Sequence, residues 1–445
     1  MKDDNFIKEN NAKHLWHPMG HPADSLTNPP TVVVSAKNSS IIDMDGHVAI
    51  DAVGGLWCVN LGYSNTAVKD AIAKQVYELP YYSSFAGTTN GPAIEASLAV
   101  REMFEADGMS RVFFTSGGSD AVETSLRLAR QYHRLRGEPG RTKFISLKKG
   151  YHGTHFGGAS VNGNNRFRIN YEPLLPGCFH LPSPYTYRNP FNETDPATLA
   201  QSIAATFEDE VAFQGAGSIA AFIMEPIQGA GGVIVPDASF MGLMRDVCDR
   251  HGILMISDEV ITGFGRTGDW SGARHYKVKP DMMCMAKGIT SAYFPVGAAL
   301  MSDKVVDVFE NDTTGDGAIF HGYTYSGHPL ACAAGLATLD IYRDEKLFEN
   351  AANLAPVLEK KLHTLRDEPN VIDIRNIGMI GAVELAPSDA GPSKRAYEVF
   401  LDCWRNNVMV RFTGDTIAMS PPLIMTEDNI EQLVETLRAA IRRAA

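Results

Sequence analysis

No two of the six cysteines, Cys58, Cys178, Cys248, Cys284, Cys332 and Cys403, form a CxxC pair, and most have apolar neighbours. Reduced, core-filling thiols are expected rather than a disulfide framework. No apolar run approaches the length of a membrane span, and the opening MKDDNFIKEN lacks the apolar stretch of a secretory signal, so a cytoplasmic location is expected. Nor does any basic run offset the net charge of -12, which argues against nucleic acid or an anionic membrane as partner. Repeats and low-complexity segments are missing too. What remains, with 44% hydrophobic and 21% charged residues among 445, is a globular chain large enough for a main core and a second lobe. Small molecules or other proteins are its expected partners.

From about residue 90 to 325, short apolar runs alternate with helix-like stretches: RVFFTS (111–116), KFISL (143–147), IAAFIMEP (219–226), ILMISDE (253–259), DMMCMAK (281–287) and GAALMS (297–302). This pattern predicts an α/β architecture with a mostly parallel central sheet covered on both faces. Amphipathic patterns follow at 329–343, 346–366 and 394–407, with a strand-like IGMIGAVEL (377–385) and a final helix opening at Thr426. They predict a second, smaller α+β domain, beside which the Pro/Gly-bearing residues 17–46 belong. We place the large domain at 61–325 and the small one in the terminal segments, 1–60 and 326–445.

Four features carry chemistry. Thr115-Ser116-Gly117-Gly118-Ser119-Asp120 joins a strand to a helix, where free backbone N–H groups and the helix dipole favour a phosphate. Asp258, in Ser257-Asp258-Glu259, ends an apolar strand and needs a cation or several donors to offset burial. Lys287 ends DMMCMA, where desolvation makes a neutral amine available for carbonyl chemistry. Tyr151, in KGYHG, offers a ring to stack on a flat heteroaromatic group. Alone, each has a plainer explanation: a structural turn, a cap, a snorkelling lysine, core packing. Four such features at successive strand ends are much less expected by chance than any one of them, and the ring nitrogen of pyridoxal 5′-phosphate (PLP) would be a suitable partner for Asp258.

The ordered segments TSGGSDAVE, KGYHG, IMEPIQGAGG, SDEVITGFGRTG, AKGI and HGYTYSGHP resemble the class III, fold-type I PLP aminotransferases over most of the chain, from about Trp57 to Pro422. The resemblance implies that Lys287 is the Schiff-base lysine and that Asp258 pairs with the pyridinium nitrogen. Val260 and Tyr151 would cover the two ring faces, and Gly117, Gly118 and Ser119 would hold the phosphate. Thr324 would reach the phosphate of a neighbouring subunit's site, which implies a homodimer with shared sites.

Two departures narrow the subgroup. Ornithine- and GABA-type relatives pair a Glu after QG with an Arg before PPL, but here those positions are Ala230 and Ala418. Arg411 instead falls where the ω-amine and β-alanine:pyruvate branch places a mobile arginine, and Leu56, Trp57 and Phe85 resemble that branch's pocket residues. Ile261 replaces the glutamine that usually reaches the cofactor's phenolic oxygen. Glu225 is expected to support the site by hydrogen bonds. His14, His17 and His21 are not expected to bind metal, since Pro18 and Gly20 interrupt any helix that would align them. The resemblance implies ping-pong transfer from an amine or ω-amino acid to a keto acid, with pyruvate as acceptor. Decarboxylation, an intramolecular amino shift, and a non-catalytic PLP-binding role are the alternatives.

Overall fold

Seven strands between Met109 and Ser302 form the central sheet of the computed structural model, which describes residues 3–85 and 87–444. Their spatial order is Met109–Thr115, Gly297–Ser302, Met282–Met285, Leu254–Asp258, Ile219–Met224, Lys143–Leu147 and Cys178–Leu181. The sheet is mixed. Gly297–Ser302 runs antiparallel to both its neighbours, while the other pairings are parallel.

Every residue of Ile219–Met224 is buried, as a strand covered on both faces requires. The pleat sends successive side chains to opposite faces. Phe222 and Met224 join the core under Phe207 and Val247, whereas Ala221 and Ile223 join the one under the helix Gly118–Leu135. That helix buries Ala121, Val122, Ser125, Leu128, Ala129 and Tyr132, a stripe with the 3.6-residue period. Truncating a side chain as enclosed as Phe222 costs ~3–5 kcal/mol.

Two further sheets use the flanking segments. Val33–Lys37, Ser40–Asp43 and Val48–Asp51 are extended by Val408–Met409, which pairs in parallel with Ile50 and Asp51. Val371–Ile377, Ile380–Leu385, Thr416–Met419 and Arg411–Thr413 form an antiparallel sheet in that order. The expected single strand at 377–385 is corrected to the end of one strand, a turn and a second strand. At that turn Gly378 has φ +52, and a Cβ there would lie 2.3 Å from the Arg266 carbonyl oxygen, so the residue is restricted to glycine. The final helix, Glu427–Arg443, begins in a capping box between Thr426 and Asn429.

All six cysteines are unpaired. Among the described residues, no helix is long and apolar enough to cross a membrane, and no cluster of three or more His, Cys, Asp or Glu could hold a metal.

Candidate active site

Five strands end on the same edge of the central sheet, and the residues just beyond them meet in a cleft of about 180 Å³. After Thr115 come Gly118 and Ser119; after Leu147, Tyr151 and His152; after Met224, Glu225. Leu254–Asp258 ends in Asp258 itself, and Lys287 follows Met285. Ligands bind at the carboxyl ends of such strands because loops there can converge while the sheet stays rigid.

Lys287 is half-buried and has φ +49, and its side-chain amine makes no hydrogen bond or ion pair with a described residue. A non-glycine residue held in the left-handed region carries strain that its surroundings must support. Burial lowers the Lys287 amine to about 8, although Cys58, Asp258 and Glu225 pull the other way. About a tenth of the amine is then neutral at pH 7, far more than for an exposed lysine.

Asp258 is 4% exposed. One of its oxygens lies 2.8 Å from His152 Nδ1, and the other accepts the Val260 N–H at 3.2 Å. His152 is buried, and its Nε2 has no partner among the described residues. Sequence reasoning missed this role for His152; its place next to Tyr151 at a strand end was the available signal. Glu225 accepts the N–H groups of Tyr151 and Gly229, each at 2.9 Å, as the support role requires. Burial raises its carboxyl to about 7.

Gly118 and Ser119 occupy the first turn of their helix, whose amides have no intrahelical acceptors. A Cβ on Gly118 would press to 3.0 Å against the Val260 methyls, and one on Gly153 would come within 2.5 Å of Ser119 Oγ. Backbone thus stands where side chains would otherwise fill the cleft. Gly117, extended at φ 175, caps the helix.

Tyr151, Val260, Ile261 and Leu56 line the same cleft. Trp57 is only 4% exposed and packs among Val53, Ile227, Val233 and Ile261, with Gly229 beside its ring. Ala230 lies next to Gly229, and its carbonyl accepts the Thr413 hydroxyl at 3.1 Å. Arg411 has Ala418 as its cross-strand partner. It makes no ion pair or hydrogen bond with a described side chain, and burial, then the nearby Arg166 guanidinium, lowers its pKa.

Phe85 and Thr324 are not brought to this cleft. Phe85, half-exposed, lines a surface hollow of about 890 Å³ with Ile94, Ile319 and Phe320, and the Thr324 carbonyl accepts the Tyr81 hydroxyl at 2.8 Å.

Comparison with known proteins agrees with this arrangement. Residues 22–441 match the family model described as aminotransferase class-III. The chain is 40% identical over 436 residues to an omega-aminotransferase of Caulobacter vibrioides, covering 97% of this chain and 98% of that one. It is 37% identical over 425 residues to a putrescine–pyruvate aminotransferase of Pseudomonas aeruginosa, covering 93% and 91%. Among solved structures, an amine transaminase from an uncultivated Pseudomonas species, in its PLP-bound form, superimposes with a TM-score of 0.94 at 44% identity, covering 97% of this chain and 99% of that one. With a cleft of this composition and likeness over almost its whole length, the chain belongs to the class-III aminotransferase family.

Proposed function

We propose that this aminotransferase, with PLP as its cofactor, moves the amino group of an amine or ω-amino acid to a keto acid, pyruvate foremost, by a ping-pong mechanism. The observation that carries the reading is the unpaired Lys287 amine in one cleft with the buried carboxylate of Asp258. When bound, PLP supplies an electron sink for the substrate carbon that loses its proton.

The residues fit the cofactor. Lys287 would hold it covalently, and Asp258, braced by His152, would keep the ring nitrogen protonated. The first-turn amides of Gly118 and Ser119 suit a phosphate, with Gly117 ahead of them. Tyr151 and Val260 provide cleft walls for a flat ring. With a pKa near 8, the Lys287 amine can accept and return a proton at neutral pH.

Arg411 supports a keto acid as acceptor. Its guanidinium has no carboxylate partner within the chain and can grip one by two parallel hydrogen bonds. Trp57, Ala230, Leu56 and a partner-supplied Phe85 would shape the pocket around the substrate tail. The names of the relatives at 40% and 37% identity point the same way.

A homodimer accounts for Phe85 and Thr324, which lie away from their own chain's cleft beside an exposed apolar surface. Phe320 is 98% exposed there, and patches of this kind mark protein interfaces. We assign the central sheet to a large domain at 61–325 and the other two sheets to a small domain at 1–60 and 326–445. The Val408–Ile50 pairing joins those terminal segments, while residues 1–2 and 445 lie outside the described residues. The unpaired cysteines suit the reducing cytoplasm.

A panel of amines and ω-amino acids, each supplied with pyruvate, tests the reading. Alanine should form in step with donor consumption in the wild type and not in Lys287→Ala. Carbon dioxide release or an isomerised donor without alanine would overturn it.

A further inference from the structure

Residues 228–234 run beside the cleft, with Gly229 against the lining residue Ile261, and are tied down along their length. Gln228 and Ile234 bridge each other. The Gly229 N–H is held by Glu225, and the Ala230 carbonyl by Thr413. Beyond Ala230, the Gly232 and Val233 N–H groups donate to the Gly229 carbonyl, each at 3.1 Å, and the side-chain ties come from one residue. The Arg375 guanidinium, one-tenth exposed, donates through Nη2 to the Gly232 carbonyl at 2.7 Å and through Nε to the Val233 carbonyl at 3.2 Å. Gly232 has φ +118 and Val233 φ +54. A left-handed valine persists only where its surroundings hold it.

The arginine is itself braced. Its Nη2 lies 2.7 Å from Glu384, and its Nη1 donates to the Tyr185 hydroxyl at 3.2 Å and pairs with Asp373. Glu384 also accepts from Tyr185 and, at 3.2 Å, from the Thr416 hydroxyl. Thr416 pairs in register with Thr413, on the strand that begins at Arg411. One buried cluster therefore reaches both the loop bearing Ala230 and the strand bearing Arg411. None of its members lines the cleft. Buried ion pairs of this kind add little net stability compared with apolar packing, which leaves geometry as their contribution.

We propose that Arg375 is a positioning residue for substrate selection. It holds the 229–233 loop against the Arg411 strand, and so sets the space available to the donor's tail between Ala230 and Arg411. Lysine cannot replace it, because one ammonium cannot serve Gly232, Val233 and Glu384 from a planar fork. The substrate half of this proposal rests on the aminotransferase reading, whereas the clamp on the loop does not.

The test uses holoenzyme of the wild type, Arg375→Lys and Thr413→Val, the last removing the tie from the opposite side of the loop. Amide hydrogen exchange in 229–234 should quicken by on the order of tenfold in Arg375→Lys while Leu254–Asp258 stays protected, since exchange reports local opening. The ratio of kcat/KM for a branched amine to that for a straight-chain amine should shift by roughly fivefold or more in both variants, through differential binding of the two tails. A uniform fall in kcat for both donors with the ratio unchanged overturns the proposal, as does unaltered exchange. If Arg375→Lys does not fold, Thr413→Val decides by the same two readings. If the wild type transfers no amino group, the functional reading fails, and loop exchange alone still judges the clamp.

Discussion

His152 Nδ1 lies 2.8 Å from an oxygen of Asp258, with both groups buried at the floor of the cleft. For an ionised Asp258 the imidazole must be the donor, which fixes the proton on Nδ1 and leaves Nε2 as the atom without a partner. The contact aims the carboxylate and stabilises its charge, while the Val260 N–H holds the other oxygen.

Replacing His152 by leucine should therefore weaken Asp258 without removing it. A hydrogen bond to a charged group contributes ~1.5–3 kcal/mol, so a fall in kcat of on the order of tenfold or more is expected at ~1.4 kcal/mol per decade. His152→Asn, which keeps an N–H near the same place, should recover most of it. Equal losses in the two variants would assign His152 to packing.

The Lys287 amine should titrate near pH 8 rather than at the usual lysine value of 10.5. The shift is downward, so the neutral, reactive form dominates above pH 8 and falls tenfold for each unit below it. In cofactor-free protein, acylation of Lys287 followed by peptide mass spectrometry should quicken with pH and level off above about 8. A rate still climbing through pH 10 would show that burial does not depress this amine.

Arg411→Ala should separate the two half-reactions. Loss of one partner from a desolvated charge pair costs ~2–5 kcal/mol, so the pyruvate half should slow by on the order of 30-fold or more at ~1.4 kcal/mol per decade. The half-reaction with an uncharged-tail amine should change far less. Single-turnover rates for each half measure this, and equal losses would make Arg411 structural.

Phe320→Glu places a charge on the apolar hollow that Phe85 lines. Light scattering should report a dimer for the wild type and a shift toward monomer for the variant. Activity should fall with it, because Phe85 and Thr324 would no longer reach a partner's cleft. A variant that stays dimeric and fully active would place the interface elsewhere.

Much of the site was legible in the chain because it is encoded locally. The runs KFISL and GAALMS are strands with the expected bounds, since near-continuous apolar stretches between turn residues have few other homes in an α/β protein. Gly118, Ser119, Asp258 and Lys287, which share the candidate cleft, could be singled out because each stands at or just beyond the end of such a run. The missing Glu and Arg at Ala230 and Ala418 were likewise readable from short motifs.

Other features depended on chain segments that meet only after folding. His152 and Asp258 are 106 residues apart, and Arg375 reaches Gly232 across 143. Nothing in the spacing of either pair announces a contact. Arg411 and Ala418 became partners through strand register, which the turn and the packing beneath it determine. The turn at Gly378 was hidden inside IGMIGAVEL because its apolar residues continue through the reversal, and only the close approach of the Arg266 carbonyl exposes the demand for glycine. Apolar periodicity and turn residues thus determined where strands end and which groups stand there, because those preferences act between near neighbours. Which ends converge, and which side chains brace them, was decided by tertiary packing, because those contacts join residues that no local pattern relates.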